Sequence, residues 1–352
     1  MDHRRDELTL WVQGCLGRKV AKEKLPQTLD VVSGDASFRR YFRARFEIAE
    51  GLFTSLIAVD APPEKENNPA FVEIAKVMDA FGVNVPEVFE VDYDRGFMLL
   101  SDLGDQLMLP LLKADTVDKY YQLAMDTLLA VQRSSFEESL PEYDEALLQS
   151  EMALFSDWLL LRHLGLVLTD ADREMLKKAF VFLADQALSQ PQVTVHRDFH
   201  SRNLMCLPGD EIGVIDFQDA VHGPITYDIV SLLKDCYCQW PQQQVEKWAL
   251  TFLSLLRNSP EHDQALKSVD DKQYLQWFST MAAQRHLKAA GIFARLCHRD
   301  GKAGYLADIP RTVSYLVEET RLSPELFDLH TMLVEIIVPA IKHKHPESEA
   351  FA

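Results

Sequence analysis

Residues 193–219 read VTVHRDFHSRNLMCLPGDEIGVIDFQD, and this stretch decides the fold. Three short apolar runs, VTV (193–195), LMC (204–206) and GVI (213–215), predict strands with loops between them. The first loop holds His196, Arg197 and Asp198, with Asn203 five residues beyond Asp198. Asp216 follows GVI directly, thirteen residues after Asn203. A short hairpin of this form predicts that Asp198, Asn203 and Asp216 converge at one mouth.

Outward from this stretch the pattern is helical on both sides. Helical periodicity marks 115–133, 144–163 and 170–189, and resumes from 225–238 to the end. Upstream of residue 104 the character changes. Strands are predicted at 28–33, 39–47, 53–59, 87–92 and 97–101, with turns around Gly51 and at Asp94-Arg95-Gly96. A helix from about 69 to 81 carries Phe71, Ile74, Ala75 and Met78 at helical spacing, and another at 4–16 presents Leu8, Trp11, Val12 and Cys15. The predicted fold is α+β and bilobal. A small antiparallel-sheet N-lobe spans 1–104, and a larger, mostly helical C-lobe spans 105–352 and carries the hairpin region 193–219.

Composition narrows the function. The chain has 352 residues, 47% of them hydrophobic, enough for a substantial core. Its 36 basic and 54 acidic residues give a net charge of -18. That field opposes binding along nucleic acid or on an anionic membrane, so neither is an expected partner. An anionic substrate must instead meet a local basic cluster. The five cysteines, Cys15, Cys206, Cys236, Cys238 and Cys297, include no C-x-x-C pair and predict neither a disulfide framework nor a zinc site. The N-terminus lacks the apolar core of a signal peptide, and no apolar run reaches membrane-spanning length. These features predict a cytoplasmic protein.

The chemistry follows from the spacing. Residues 196–203 have the form H-R-D-x-x-x-x-N, the catalytic loop of kinases. Phosphoryl transfer needs a carboxylate to hold and deprotonate the attacking hydroxyl, and oxygen ligands to hold magnesium against the phosphates. Asp198 is the predicted base, Asn203 and Asp216 the predicted metal ligands, and ATP with Mg2+ the implied cofactors. His196 reads as a brace for the loop. Asp228 reads as a cap or brace, and Asp219 as a neighbour of the metal ligands. No activation loop fits in the few residues between Asp219 and Tyr227, which favours a small acceptor over a protein.

These motifs resemble the aminoglycoside phosphotransferase and choline kinase group, which shares its fold with protein kinases. Gly34-Asp35-Ala36-Ser37 and the following Arg39-Arg40-Tyr41-Phe42-Arg43 are similar to the group's phosphate-covering loop and second strand. Leu99-Leu100-Ser101-Asp102-Leu103-Gly104 resembles the segment that meets adenine. The resemblance therefore implies a nucleotide site involving Gly34, Asp35, Ala36, Ser37, Arg39, Arg43, Ser101 and Leu103. Longer stretches, among them GDASFRRYFR and IDFQDAVHGPITYDIVSLLKDCY, resemble a family of anomeric amino-sugar kinases that act on N-acetylmuramate and N-acetylglucosamine in cell-wall recycling. That closer resemblance implies transfer to the C1 hydroxyl of an amino-sugar substrate. A kinase for an aminoglycoside, choline or an amino alcohol, and a nucleotide-binding regulator without turnover, are the alternatives.

The chain departs from the general pattern at one point. The third strand, Ser55 to Asp60, has no lysine to meet the phosphates. Arg39, Arg40 and Arg43 are candidates to supply that charge, and Glu73 is a candidate partner carboxylate. For the acceptor, His200, Asp235, Arg285 and Arg295 are the predicted contacts. An arginine there would suit the lactyl carboxylate of N-acetylmuramate. The sequence leaves the oligomeric state open.

Overall fold

The computed structural model of the chain describes all residues except 1, 19, 35–37, 50, 137–139, 262, 322, 349 and 352. In chain order its elements are α1 (His3–Leu16), β1 (Asp30–Gly34), β2 (Arg40–Ala49), β3 (Leu52–Asp60), α2 (Asn68–Ala80), β4 (Val88–Asp92) and β5 (Phe97–Ser101). Then come α3 (Val117–Arg133), α4 (Glu145–Leu154), α5 (Asp170–Leu188), β6 (Gln192–Val195), β7 (Leu204–Leu207), β8 (Glu211–Val214) and β9 (Val221–Pro224). The rest is α6 (Tyr227–Leu233), α7 (Gln242–Arg257), α8 (Asp263–Leu266), α9 (Asp271–Asp300), α10 (Ile309–Arg321), α11 (Phe327–Met332) and α12 (Val338–Lys344). Two compact units result: Met1–Leu107 with Asn203–Gln218, and Met108–Arg202 with Asp219–Ala352.

The first unit is built on an antiparallel sheet in the order β1-β2-β3-β5-β4. Alternation along β2 turns Phe42, Ala44 and Phe46 to one face, where Ala58, Phe97 and Leu99 of the neighbouring strands join them. Leu8, Val12 and Leu16 recur at helical spacing on α1 and close over that face. Arg43 alternates to the opposite face.

The hairpin β7-β8 belongs to this first unit. Asn84 bridges to Gly213, Leu107 bridges to Met205, and the Phe71 and Phe217 rings lie 4.8 Å apart. A Cβ on Gly213 would meet the Leu103 side chain at 2.9 Å, so a glycine admits Leu103 there. The expected assignment of the whole hairpin to the helical part thus differs from the observed grouping: these contacts tie 203–218 to the sheet.

The second unit is mainly helical and organised around α9, a 30-residue helix. Asp270 caps its start by accepting the Gln273 N–H at 2.7 Å, and Gly301, at φ +71°, ends it. Gly291 in its middle lets the helix pass the backbone of Leu154 and Phe155, where α4 widens into a π-helical segment over Phe155–His163. The strand expected at VTV forms as β6 but pairs with β9, not with the β7-β8 hairpin. β9 escaped the sequence reading because Gly223 and Pro224 make it look like a turn. All five cysteines are free. Among the described residues no helix is long and apolar enough to cross a membrane.

Candidate active site

In the second unit the loop after β6 is held from below. Arg197 has φ +77°, a left-handed conformation that costs a residue with a side chain about 1–2 kcal/mol. The Asp228 carboxylate stabilises it by accepting the His196 N–H at 2.7 Å and the Arg197 N–H at 3.0 Å. Burial pushes Asp228 up to about 7, against the pull of those two N–H bonds. His196 is fully buried, and its Nδ1 accepts the Asp198 N–H at 3.2 Å, so it braces the loop as expected. The Arg197 guanidinium donates to Glu151, which also pairs with Lys288 at 3.1 Å and accepts from the Tyr143 hydroxyl.

Asp198 sits among these cations. Burial by itself raises its pKa, but Lys288, His200, Arg285 and Arg197 outweigh it and hold the carboxyl at about 2. Asp198 is therefore ionised at any physiological pH. Lys288, Glu151 and Tyr143 were missed in the sequence. Only Lys288 left a signal, three positions after Arg285 on one helical pattern.

The predicted acceptor residues separate. Asp235 is buried, and one of its oxygens accepts the Ser201 N–H at 3.0 Å and the Ser201 hydroxyl. Its other oxygen accepts the Tyr237 N–H at 3.0 Å. Asp235 thus braces the loop through both oxygens. His200 lies edge-on to Tyr237, ring centres 5.4 Å apart, and its Nδ1 has no hydrogen-bond partner among the described residues. Arg202 stacks on the same Tyr237 ring at 3.6 Å. Arg285 is buried on α9, and Arg295 is half-buried. Asp219 is exposed and offers its backbone carbonyl to Arg197 at 3.4 Å.

In the first unit Asn203 and Asp216 meet at the open end of the β7-β8 hairpin. Asn203 Nδ2 donates to Asp216 Oδ2 at 3.3 Å, and Gln218 Nε2 donates to Asp216 Oδ1 at 2.8 Å. Asp216 has φ +66°, in the left-handed region like Arg197 and Asp210. An accessible carboxylate beside an amide is an all-oxygen donor set of the kind magnesium takes together with phosphate oxygens, so these residues fit that ion.

The arginines at and just before the start of β2 divide by role. Arg43 grips Asp102 through Nε at 2.6 Å and Nη2 at 3.0 Å, and reaches Asp105 at 2.8 Å and the Gly104 carbonyl at 3.2 Å. Through these donors it anchors the segment 102–105. Arg40 is likewise bound to Asp60 and Asp2. Arg39 is buried, pairs with Glu66 at 3.1 Å and lies 5.1 Å over the Phe71 ring. Its partner is Glu66 in the loop before α2, whereas Glu73 is exposed. Ser101 Oγ accepts the Glu87 N–H at 2.9 Å. Gly34 ends β1 opposite Arg40; Asp35, Ala36 and Ser37 lie outside the described residues.

The fold is of the protein-kinase-like class. A computed comparison of folds agrees: an ethanolamine kinase of Plasmodium vivax superposes with a TM-score of 0.61 at 11% identity, covering 88% of this chain and 87% of that one. The model of the phosphotransferase enzyme family matches residues 28–264. The chain is 41% identical over 341 residues to an N-acetylmuramate/N-acetylglucosamine kinase of Pseudomonas putida, covering 95% of this chain and 97% of the relative. It is 40% identical over 344 residues to the kinase of the same name from Pseudomonas aeruginosa, with coverage of 95% and 97%. The chain belongs to the phosphotransferase enzyme family and is an ATP-dependent small-molecule kinase.

Proposed function

We propose that the chain transfers the γ-phosphoryl group of ATP to the anomeric C1 hydroxyl of N-acetylmuramate and N-acetylglucosamine, a step of cell-wall recycling. The observation that carries this reading is the end-to-end similarity to relatives named for those two sugars.

In this reading Asp198 orients the C1 hydroxyl and takes its proton as the new O–P bond forms and the bond to the β-phosphate oxygen breaks, releasing ADP. A carboxyl held at about 2 is a weak base. It suits an attack in which the proton leaves late, and a hemiacetal hydroxyl is more acidic than an ordinary alcohol. Asn203 and Asp216 would hold magnesium, which when bound offsets the charge on the phosphate oxygens. Arg39, buried and paired with Glu66, supplies the charge that β3 lacks.

The test is a panel of hydroxyl acceptors with analysis of phosphate position. The expected product is an acid-labile sugar 1-phosphate without a free reducing end. Turnover confined to choline, ethanolamine or an aminoglycoside, or a phosphate on another sugar carbon, would sink the proposal.

A further inference from the structure

Arg285 stands apart from the other cations near Asp198. Lys288 spends its ammonium on the Tyr227 hydroxyl at 2.9 Å and on Glu151, and Arg197 spends its guanidinium on Glu151. Arg285 is 7% exposed, yet neither its Nε nor its Nη1 has a hydrogen-bond partner among the described residues. Those two nitrogens carry three N–H donors. Folded proteins rarely leave buried donors unmatched, and a buried guanidinium is matched best by anionic oxygen. Its surroundings supply none at those two atoms: the guanidinium lies 5.3 Å over the Tyr227 ring. Of the other arginines late on α9, Arg295 is only half-buried, with its Nε lacking a hydrogen-bond partner among the described residues, and Arg299 is exposed and paired with Asp300 at 2.8 Å.

We infer that Arg285 is an oxyanion-binding residue of the acceptor side, donating from Nε and Nη1 to an anionic oxygen brought beside Asp198. The oxygen has two sources. One is the carboxylate of an acidic amino sugar, which would make Arg285 the residue that selects N-acetylmuramate over its neutral counterpart. The other is the phosphoryl group in transit. The inference rests on the sugar-kinase reading for the identity of the acceptor, but not for the existence of the oxyanion site.

Steady-state kinetics of Arg285→Gln and Arg285→Lys with the acidic and the neutral sugar, each at saturating ATP, separate these sources. If the sugar carboxylate is bound, kcat/KM for the acidic sugar falls at least tenfold further than for the neutral one, chiefly through KM, and Lys recovers part of the loss. If the phosphoryl group is bound, kcat falls at least tenfold on both sugars alike while both KM values hold. Either result supports the site. Parameters within threefold of the native enzyme, or a loss spread equally over kcat and KM and matched by a lowered Tm in both variants, overturn it. Should the native enzyme phosphorylate neither sugar, the proposed function fails on its own. Arg285 is then judged by kcat with whichever hydroxyl acceptor the panel reveals.

Discussion

Asp228 Oδ2 accepts the backbone N–H of His196 at 2.7 Å, linking two residues 32 positions apart. The same carboxylate takes the Arg197 N–H at 3.0 Å, so a buried helix residue holds the left-handed backbone of Arg197, next to Asp198. Asp228→Ala strands one buried and one partly buried N–H group and should lower stability by about 2–6 kcal/mol, at roughly 1–3 kcal/mol for each donor. Asp228→Asn, which keeps one acceptor oxygen, should cost less than half of that. Urea titrations check the order, and equal stability of the two variants would remove the bracing role.

Asp198 is held ionised by the cations around it, so its charge is present throughout the working pH range. Asp198→Asn should lower kcat by about two orders of magnitude or more, the scale of a lost general base, while ATP affinity stays within about threefold. Single-turnover rates and nucleotide titration measure the two separately. Near-native turnover in the variant would take Asp198 out of the chemistry.

Arg39 is the buried arginine proposed to replace the absent β3 lysine. Arg39→Gln should weaken ATP binding by about tenfold, or roughly 1.4 kcal/mol, and leave sugar KM unaffected. Arg43→Gln should instead lower Tm, because its donors hold Asp102, Gly104 and Asp105. A pattern in which Arg43 governs ATP affinity and Arg39 only stability would reverse the assignment.

His286 is fully buried with Nδ1 3.0 Å from both Glu319 oxygens and Nε2 2.9 Å from the Lys234 carbonyl. Both nitrogens face acceptors, so the ring is an imidazolium. Burial works against that charge, but Glu319 prevails and raises the pKa from 6.5 to about 9. The sign follows: the stabilisation is complete below about 6.5 and is lost as pH rises through about 9. Chemical denaturation between those values should show a decline of about 2–3 kcal/mol, at ~1.4 kcal/mol per pKa unit. His286→Gln should flatten the profile; an unchanged slope in that variant would assign the decline to other groups.

Gly291 brings α9 against the backbone of the α4 terminus. A Cβ there would lie 2.3 Å from the Leu154 carbonyl carbon and 2.6 Å from the Phe155 nitrogen, both backbone atoms with little room to move. Gly291→Ala should destabilise the protein by about 3 kcal/mol despite alanine's better helix propensity. A stabilised variant in thermal unfolding would show that the two helices can separate freely.

The sequence by itself determined the candidate groups for the chemistry and the two classes of structure around them. H-R-D-x-x-x-x-N followed by Asp216 depends on spacing within one stretch, and the β2 alternation and the α1 stripe of Leu8, Val12 and Leu16 depend on local period. Both kinds of signal are readable from neighbours in the chain. Tertiary structure alone decided which charged residues are available and which are occupied. Arg39, Arg40 and Arg43 look alike in sequence, and their roles differ because Glu66, Asp60 and Asp102 come from elsewhere in the fold to meet them. Asp228 and Asp235 became braces, and Arg285 kept its Nε and Nη1 without partners among the described residues, for the same reason. A side chain's charge is written in the chain, but its hydrogen-bond partners are supplied by segments that only folding brings near.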